Sequence, residues 1–351
     1  MSDTLLLLTR ISPYPITIVP GSIPRIIWLS FKKLRISILN KNTKIRFNYI
    51  VGAAISILLL WNIYAQVKKQ WNGFDAEIWK HATDNFYLYL CIALMFVNLL
   101  LESGKWYLLT NSVEAVNYPR VFSSYLAGMA FSIITPNRIG DYPGRILYLG
   151  RSNTFRYVNV SVLGVMSQLS AIFIFGLCGL IYYNIAFPAM VAKVALVLCA
   201  AANIGIAVVY WRFENWLPVL ANIPWLRRFA VYGKLLNRVT NRRQIMVLAL
   251  SLLRFSVFTA QYLFLLRWMN VAVPLAEGFI IAALFFWVIA VIPSVALTEL
   301  GVRGNVSLYL FHNFSSNTVG MLAATMGIWL LNLILPSILG SVLVMRMRLL
   351  R

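Results

Sequence analysis

Two stretches hold the residues whose types and spacing are able to do chemistry. The first runs from Ser132 to Arg145 and centres on Pro136, Arg138, Gly140, Asp141, Pro143, Gly144 and Arg145. The second runs from Val291 to Gly304 and holds Pro293, Glu299, Gly301 and Arg303. Each passes from an apolar lead-in through proline, acid, glycine and arginine into a further apolar segment. Proline removes a helical N–H and clashes with the preceding turn, so neither stretch reads as one regular helix. Broken backbone beside charge is tolerated in an apolar region only where it is buried in protein or lines a polar cavity. Arginine is permanently charged, and its planar fork of donors matches a phosphate. A helix that starts after a break adds free N–H groups and the positive end of its dipole. The two stretches therefore read as one site for a phosphate or similar anion. It comprises Pro136, Arg138, Gly140, Asp141, Arg145, Pro293, Glu299, Gly301 and Arg303.

Asp141 and Arg145 are four residues apart, as are Glu299 and Arg303. That spacing suits a local ion pair which neutralises both members. It also suits an acid that holds an arginine toward a ligand, or that meets a cationic part of a headgroup. Arg138 has no such local partner, which makes it the leading site residue. Gln168, Arg254 and Gln261 lie inside apolar runs and are placed to line the same cavity, although snorkelling or pairing is the plainer reading of Arg254. His81 and His312 are isolated. Cys91, Cys178 and Cys199 lie in apolar runs without CxxC spacing or a nearby histidine. No metal, disulfide, cofactor or catalytic residue is expected from them.

The elements that must position these residues are membrane helices. Of 351 residues 60% are hydrophobic and 12% charged, where a soluble domain carries about 25% charged residues. Apolar runs near the bilayer-spanning length recur, so the expected fold is all-α and polytopic. About six full spans are expected: 49–67, 86–101, 157–183, 189–211, 245–266 and 319–345, the last kinked at Pro336. Glu102, Lys105, Glu114 and Arg120 read as a polar connection after the second span. Residues 121–135 and 277–292 are short for a crossing and end at Pro136 and Pro293. Residues 121–156 and 277–311 read as two re-entrant hairpins.

The net charge of +21 comes from 31 Lys and Arg against 10 Asp and Glu. In an apolar chain this points to cytoplasmic loops and anionic lipid headgroups, not to nucleic acid. Residues 1–48 form a basic segment in which residues 26–39 are readable as an interfacial amphipathic helix or as a solvated tail. Residues 49–345 form the transmembrane domain and 346–351 a basic tail. Leu5 to Leu8 is too short for the apolar core of a signal peptide. With the basic N-terminus inside, both the 212–243 loop and the C-terminus also fall inside. The hairpins then enter from opposite leaflets. This is an inverted-repeat arrangement, in which discontinuous helices meet near the midplane. The expected location is the cell membrane (inner or plasma), multi-pass, with both termini cytoplasmic; homo-oligomers are allowed.

Thr135-Pro-Asn-Arg-Ile-Gly-Asp141, continued to Arg145, resembles the TPxRxGExxR signature of the lysylphosphatidylglycerol synthase transmembrane region, also called flippase-like domain proteins. Pro293 with Thr298-Glu-Leu-Gly-Val-Arg303 is similar to that family's second motif. The resemblance covers about residues 50 to 345. It implies a polytopic domain that moves aminoacylated or other lipids between leaflets, some members being linked to polyprenyl-phosphate sugar chemistry. Asp141 stands where the family usually has glutamate, and the segment before Arg145, which includes Pro143 and Gly144, is one residue longer. The soluble aminoacyl-transfer domain of the full synthases is not expected here, nor is lysyl transfer. The expected function is transport of a phosphate-containing lipid, aminoacylated and glycosylated forms included, with membrane lipids as partners. The alternative is a membrane glycosyl- or phosphoryl-transferase on a lipid phosphate, supported by the D-x-E of Asp75 and Glu77.

Loop charge makes the topology testable. Cysteines placed at Asn72 and Trp225 should label from opposite sides of the membrane, Trp225 from the cytoplasm. Labelling of both from one side would contradict the inverted arrangement.

Overall fold

A computed structural model describes residues 85–135, 140–150, 153–212, 240–292 and 299–344, with scattered positions between 54 and 68 that are also helical. Outside the described residues lie the basic segment 1–48, Asp75, Glu77, Pro136, Arg138, Pro293, the interior of the 212–243 loop and the tail. All regular structure among the described residues is helical, and the protein is a polytopic membrane protein. The helices are α1 (Asn85–Thr110), α2 (Tyr118–Ile134), α3 (Asp141–Leu149), α4 (Thr154–Ala186), α5 (Met190–Trp211), α6 (Asn241–Trp268), α7 (Leu275–Val291), α8 (Glu299–Phe311), α9 (Thr318–Trp329) and α10 (Leu335–Val344). A π-helical segment, Leu330–Ile334, joins α9 to α10.

Length separates two kinds of element. Five described stretches are long and apolar enough to cross a membrane: α1, α4, α5, α6 and the continuous run from α9 to α10. At 1.5 Å per residue, α1 is about 39 Å long and exceeds the roughly 30 Å apolar core of a bilayer. The 17 residues of α2 and of α7 give only about 26 Å, and α3 and α8 are shorter still. The pairs α2–α3 and α7–α8 are therefore the two broken hairpins.

The core divides into two halves, and each hairpin belongs to one of them. One cluster joins α2 and α3 to the C-terminal half of α1, the start of α4, Tyr210 of α5 and Val247 of α6. The other joins α7, α8 and the first part of α9 to the start of α1, the C-terminal half of α4 and the C-terminal half of α6. Each crossing helix thus begins in one cluster and ends in the other, so the hairpins occupy opposite ends of the bundle. The end of α10 returns to the first hairpin, where Val344 packs with Ala127 and Ala130. Helix α5 packs on α4 and leaves Val191, Val197, Leu198 and Ile204 open, as a lipid-facing helix should.

Three boundaries differ from the sequence reading. Helix α1 does not stop at Leu101 but continues to Thr110, so Glu102 and Lys105 are buried in a crossing helix and not in a polar connection. They are tolerated there because each has an ionic partner. Pro143 and Gly144 belong to the first turn of α3 and not to the break. The first-turn N–H groups have no intrahelical acceptor, so proline costs nothing at that position. The expected kink at Pro336 takes the form of the π turn just before it. Proline lacks the N–H that would bind the carbonyl of Asn332 and would clash with it in an α-helix, and a π turn widens the ladder there.

The second hairpin is seated on α4 by close approach: a Cβ at Gly176 would lie 2.3 Å from the Trp287 ring of α7. Gly176→Val should cost about 1–3 kcal/mol through forced repacking. A lower midpoint of thermal unfolding in detergent, relative to Gly205→Val at a position with open space, would show it. Equal midpoints would contradict this seating.

Candidate functional site

The first hairpin builds one wall of the site. Pro119 sits in the opening turn of α2, where its missing N–H is harmless. At the far end Thr135 leaves the helix in extended conformation. Its hydroxyl accepts from the Gly140 N–H at 2.7 Å, tying together the two sides of the break. Asp141 then opens α3, where a negative charge suits the helix dipole. Arg145, one turn on, donates from Nε and Nη2 to the two carboxylate oxygens of Asp141 at 2.7 and 2.5 Å. The pair lies against α2 at Gly128, where a Cβ would come within 2.5 Å of both residues. Ser124 donates to the Arg145 carbonyl at 3.1 Å and accepts from the Trp106 indole at 3.0 Å. The Arg145 guanidinium carbon is 4.7 Å from the ring centres of Tyr125 and Tyr142 and 5.6 Å from that of Trp106. Aromatic faces at this range stabilise a cation.

The crossing helices supply the rest. Glu102 of α1 receives three cations: Arg145 at 3.1 Å, Lys105 at 2.8 Å and Arg254 of α6 at 3.1 Å. The Glu102, Lys105 and Arg145 side chains are only 2–3% exposed, whereas Asp141 is 17% and Arg254 25% exposed. Burying ions costs several kcal/mol each unless they are paired and hydrogen-bonded; every ion here is paired and Glu102 Oε1 accepts from Arg145, whereas Glu102 Oε2 faces Lys105 and Arg254 without a hydrogen bond of good geometry. Arg254 also donates to Asn98 of α1 and to Gln168 of α4, each at 3.0 Å. Asn98 donates to Asn332 of the π segment at 2.8 Å, and Asn332 to Gln261 of α6 at 2.9 Å. Asn98, Gln168, Arg254 and Asn332 each lie near the middle of a crossing segment, at the boundary between the two apolar clusters. A polar layer thus separates the halves of the bundle.

The second hairpin carries a simpler group. Tyr262, next in the chain to Gln261, pairs its hydroxyl with Ser307 of α8 at 2.8 Å and Thr325 of α9 at 3.0 Å. Arg303 is buried on α8, within electrostatic reach of Tyr262.

Of the residues expected to form the site, Gly140, Asp141 and Arg145 are brought together. Glu299 opens α8, and Gly301 on α8 is exposed with open space around it. Arg303 sits in the half of the bundle that holds the other hairpin. The meeting of the two proline breaks, and the position of Arg138, lie outside the described residues. Sequence reasoning missed Glu102, Lys105, Asn98 and Asn332 as site residues. A signal for three of them exists: Asn98, Glu102 and Lys105 recur at four and three residues and share one face of α1. Among the described residues no group of three or more His, Cys, Asp or Glu side chains is arranged to hold a metal.

Two short-helix hairpins at opposite ends of a bundle with a buried ionic layer define a polytopic membrane protein. The family model of the lysylphosphatidylglycerol synthase transmembrane region matches residues 49–340, and the chain belongs to that family. Neither the comparison with curated proteins nor that with solved structures returned a match.

The central position of Glu102 has a measurable cost. Glu102→Gln removes the carboxylate that three cations share and should destabilise the protein by about 3–5 kcal/mol. A residue in a solvated connection would change stability by no more than about 0.5 kcal/mol. Denaturant unfolding of the purified protein in mild detergent decides between the two.

Proposed function

We propose that the protein moves a phosphate-bearing lipid between the leaflets of the membrane, and that the buried ionic layer recognises its headgroup. The observation that carries this reading is the composition of the layer. Three cations and two carboxylates lie deep in an apolar bundle, flanked by a broken hairpin. Ionisable residues at such depth are expensive and mark substrate pathways. Membership of the lysylphosphatidylglycerol synthase transmembrane family is in keeping with a role in lipid handling. The two hairpins in opposite ends of the bundle suit alternating exposure of one central site. Arg138 and Arg303 stand on the two hairpin motifs and are the arginines proposed to accompany the headgroup phosphate. Arg145 is proposed to shape the site, since its guanidinium is engaged by Asp141 and Glu102. The protein is proposed to lie in the cell membrane with its basic segments cytoplasmic.

Leaflet exchange of labelled phospholipid in vesicles holding the purified protein tests this reading. Wild type should accelerate exchange well above protein-free vesicles. Arg138→Lys, which keeps the charge but loses the planar fork, should slow it, and Arg138→Ala should slow it further. Unchanged exchange in folded Arg138→Ala would remove that residue from the site. A metal-dependent transferase activity lost on Asp75→Ala would replace transport with catalysis.

A further inference from the structure

Close approach groups three helices into one body. A Cβ at Gly128 of α2 would come within 2.5 Å of Asp141 and Arg145 of α3, and one at Gly144 of α3 would lie 3.0 Å from the Gly128 Cα. A Cβ at Gly340 of α10 would overlap the Leu126 carbonyl of α2, and Ser337 of α10 donates to the Met129 carbonyl of α2 at 2.9 Å. Arg120 at the start of α2 donates to the Leu149 carbonyl at the end of α3 at 2.8 Å, which closes the base of the hairpin. Helices α1, α4, α6 and α9 are joined to one another by side chains. Arg254 of α6 bonds Asn98 of α1 and Gln168 of α4, Ser167 of α4 pairs with Ser251 of α6 at 2.9 Å, and Tyr262 of α6 bonds Thr325 of α9. Packing without room for a methyl group transmits a displacement instead of absorbing it, so α2, α3 and α10 form one body and the other four a frame.

The chain passes between body and frame at points that are able to turn. It enters α2 after the turn that ends at Asn117. It leaves α3 through Gly150, whose φ of 120° and ψ of 168° are open to glycine alone, and where a Cβ would meet nothing within 4 Å. It passes from α9 to α10 through the π turn. Asn332 in that turn is held to the frame by Asn98 and Gln261, whereas Ser337 beyond it is bonded to α2. Pro336 lies between them and lacks the N–H that would stiffen the ladder. Three polar contacts from α1 reach across to the body: Ser103 to Tyr118 at 2.7 Å, Trp106 to Ser124 at 3.0 Å and Glu102 to Arg145 at 3.1 Å. The last is an ion pair that both sides are able to give up. Arg145 keeps Asp141, and Glu102 keeps Lys105 and Arg254. Parting it strands no ion, and a stranded ion is the main cost of breaking a buried pair.

We propose that α2, α3 and α10 move as one body against the frame of α1, α4, α6 and α9, turning at Gly150 and at the π turn, with the Glu102–Arg145 pair as the latch. In the latched state the first hairpin closes the polar layer from its end of the bundle. Unlatching draws the hairpin off α1 and bares the Glu102 carboxylate with the cations that stay on the frame. The motion is of the hinge kind, in which a few residues absorb the backbone change and packed helices keep their contacts. It follows from packing and pairing and does not depend on what the protein carries.

Spin-label distances in the full chain, held in phosphatidylcholine vesicles, test the proposal. The labels go on exposed positions after the exposed thiol is removed by Cys178→Ser. Leu147 with Leu339 lies within the body, Val165 with Leu253 within the frame, and Val165 with Leu339 spans the two. The two internal pairs should each give one narrow distance, and the spanning pair a broader distribution. Gly150→Ala cannot hold the latched backbone and adds no clash of its own. It should shift the spanning distance by about 5 Å, one helical turn, and leave both internal distances in place. Pro336→Ala restores the missing N–H and should narrow the spanning distribution. A spanning pair as narrow as the internal pairs in wild type overturns the proposal. So does a shift of the Leu147–Leu339 distance along with it, or a Gly150→Ala variant that loses stability without moving the spanning pair. Wild type and Pro336→Ala decide the matter even if Gly150→Ala does not fold. Motion in a protein that exchanges no lipid would leave the proposal standing and refute transport; exchange without motion would do the reverse.

Discussion

One carboxylate, that of Glu102, holds three cations inside a largely apolar bundle. Much of the rest of the structure follows from the need to keep that arrangement dry and paired. Lys105 comes from the same helix, Arg145 from the first hairpin and Arg254 from α6, so a single acidic group ties three separate elements. Gly128 lets α3 lie close enough to α2 for Asp141 to share the load on Arg145. The aromatic rings of Trp106, Tyr125 and Tyr142 close over that guanidinium. In lipid the hydrophobic effect does not distinguish one apolar helix face from another, so polar contacts and close approach decide which helices meet.

The layer also joins the two halves of the molecule. From Asp141 the contacts run through Arg145, Glu102, Arg254, Asn98 and Asn332 to Gln261. Gln261 precedes Tyr262, which bonds to the second hairpin at Ser307. Asn332 lies in the π turn that Pro336 imposes, so a proline outside the site sets the register of an amide within it. Ser337 of the following turn donates to the Met129 carbonyl of α2 at 2.9 Å, while Thr325 of the preceding helix bonds Tyr262. The last crossing segment therefore touches the polar contacts of both hairpins.

Much of this was legible in the sequence, and the reasons are physical. Short apolar runs that end in proline marked both hairpins, because length and the missing N–H are local properties. The four-residue spacing of Asp141 and Arg145 announced their pair, since a helix places such residues on one face. The central role of Glu102 was not legible by the same means. Hydropathy treats a carboxylate within an apolar run as the end of a span, and Glu102 is compensated by residues 43 and 152 positions away. The polar role of Asn332 depends on a π register that no periodicity announces. The resemblance to the family was read from the two motifs, the first of which holds Asp141 and Arg145, whereas Glu102, Lys105 and Arg254 of the ionic layer come from α1 and α6, which the motifs do not include.

The central claim is that Glu102 is energetically coupled to cations on other elements, not merely surrounded by them. A double-mutant cycle on Glu102 and Arg254 measures this directly, with unfolding of Glu102→Gln, Arg254→Gln and the double variant compared in one detergent. The account predicts that the double variant loses clearly less stability than the two single losses added together, by more than about 1 kcal/mol, because each single change strands an ion that the double change removes. Losses that add to within about 0.3 kcal/mol would mean that the two side chains act independently, and the ionic layer would not be what holds the bundle together.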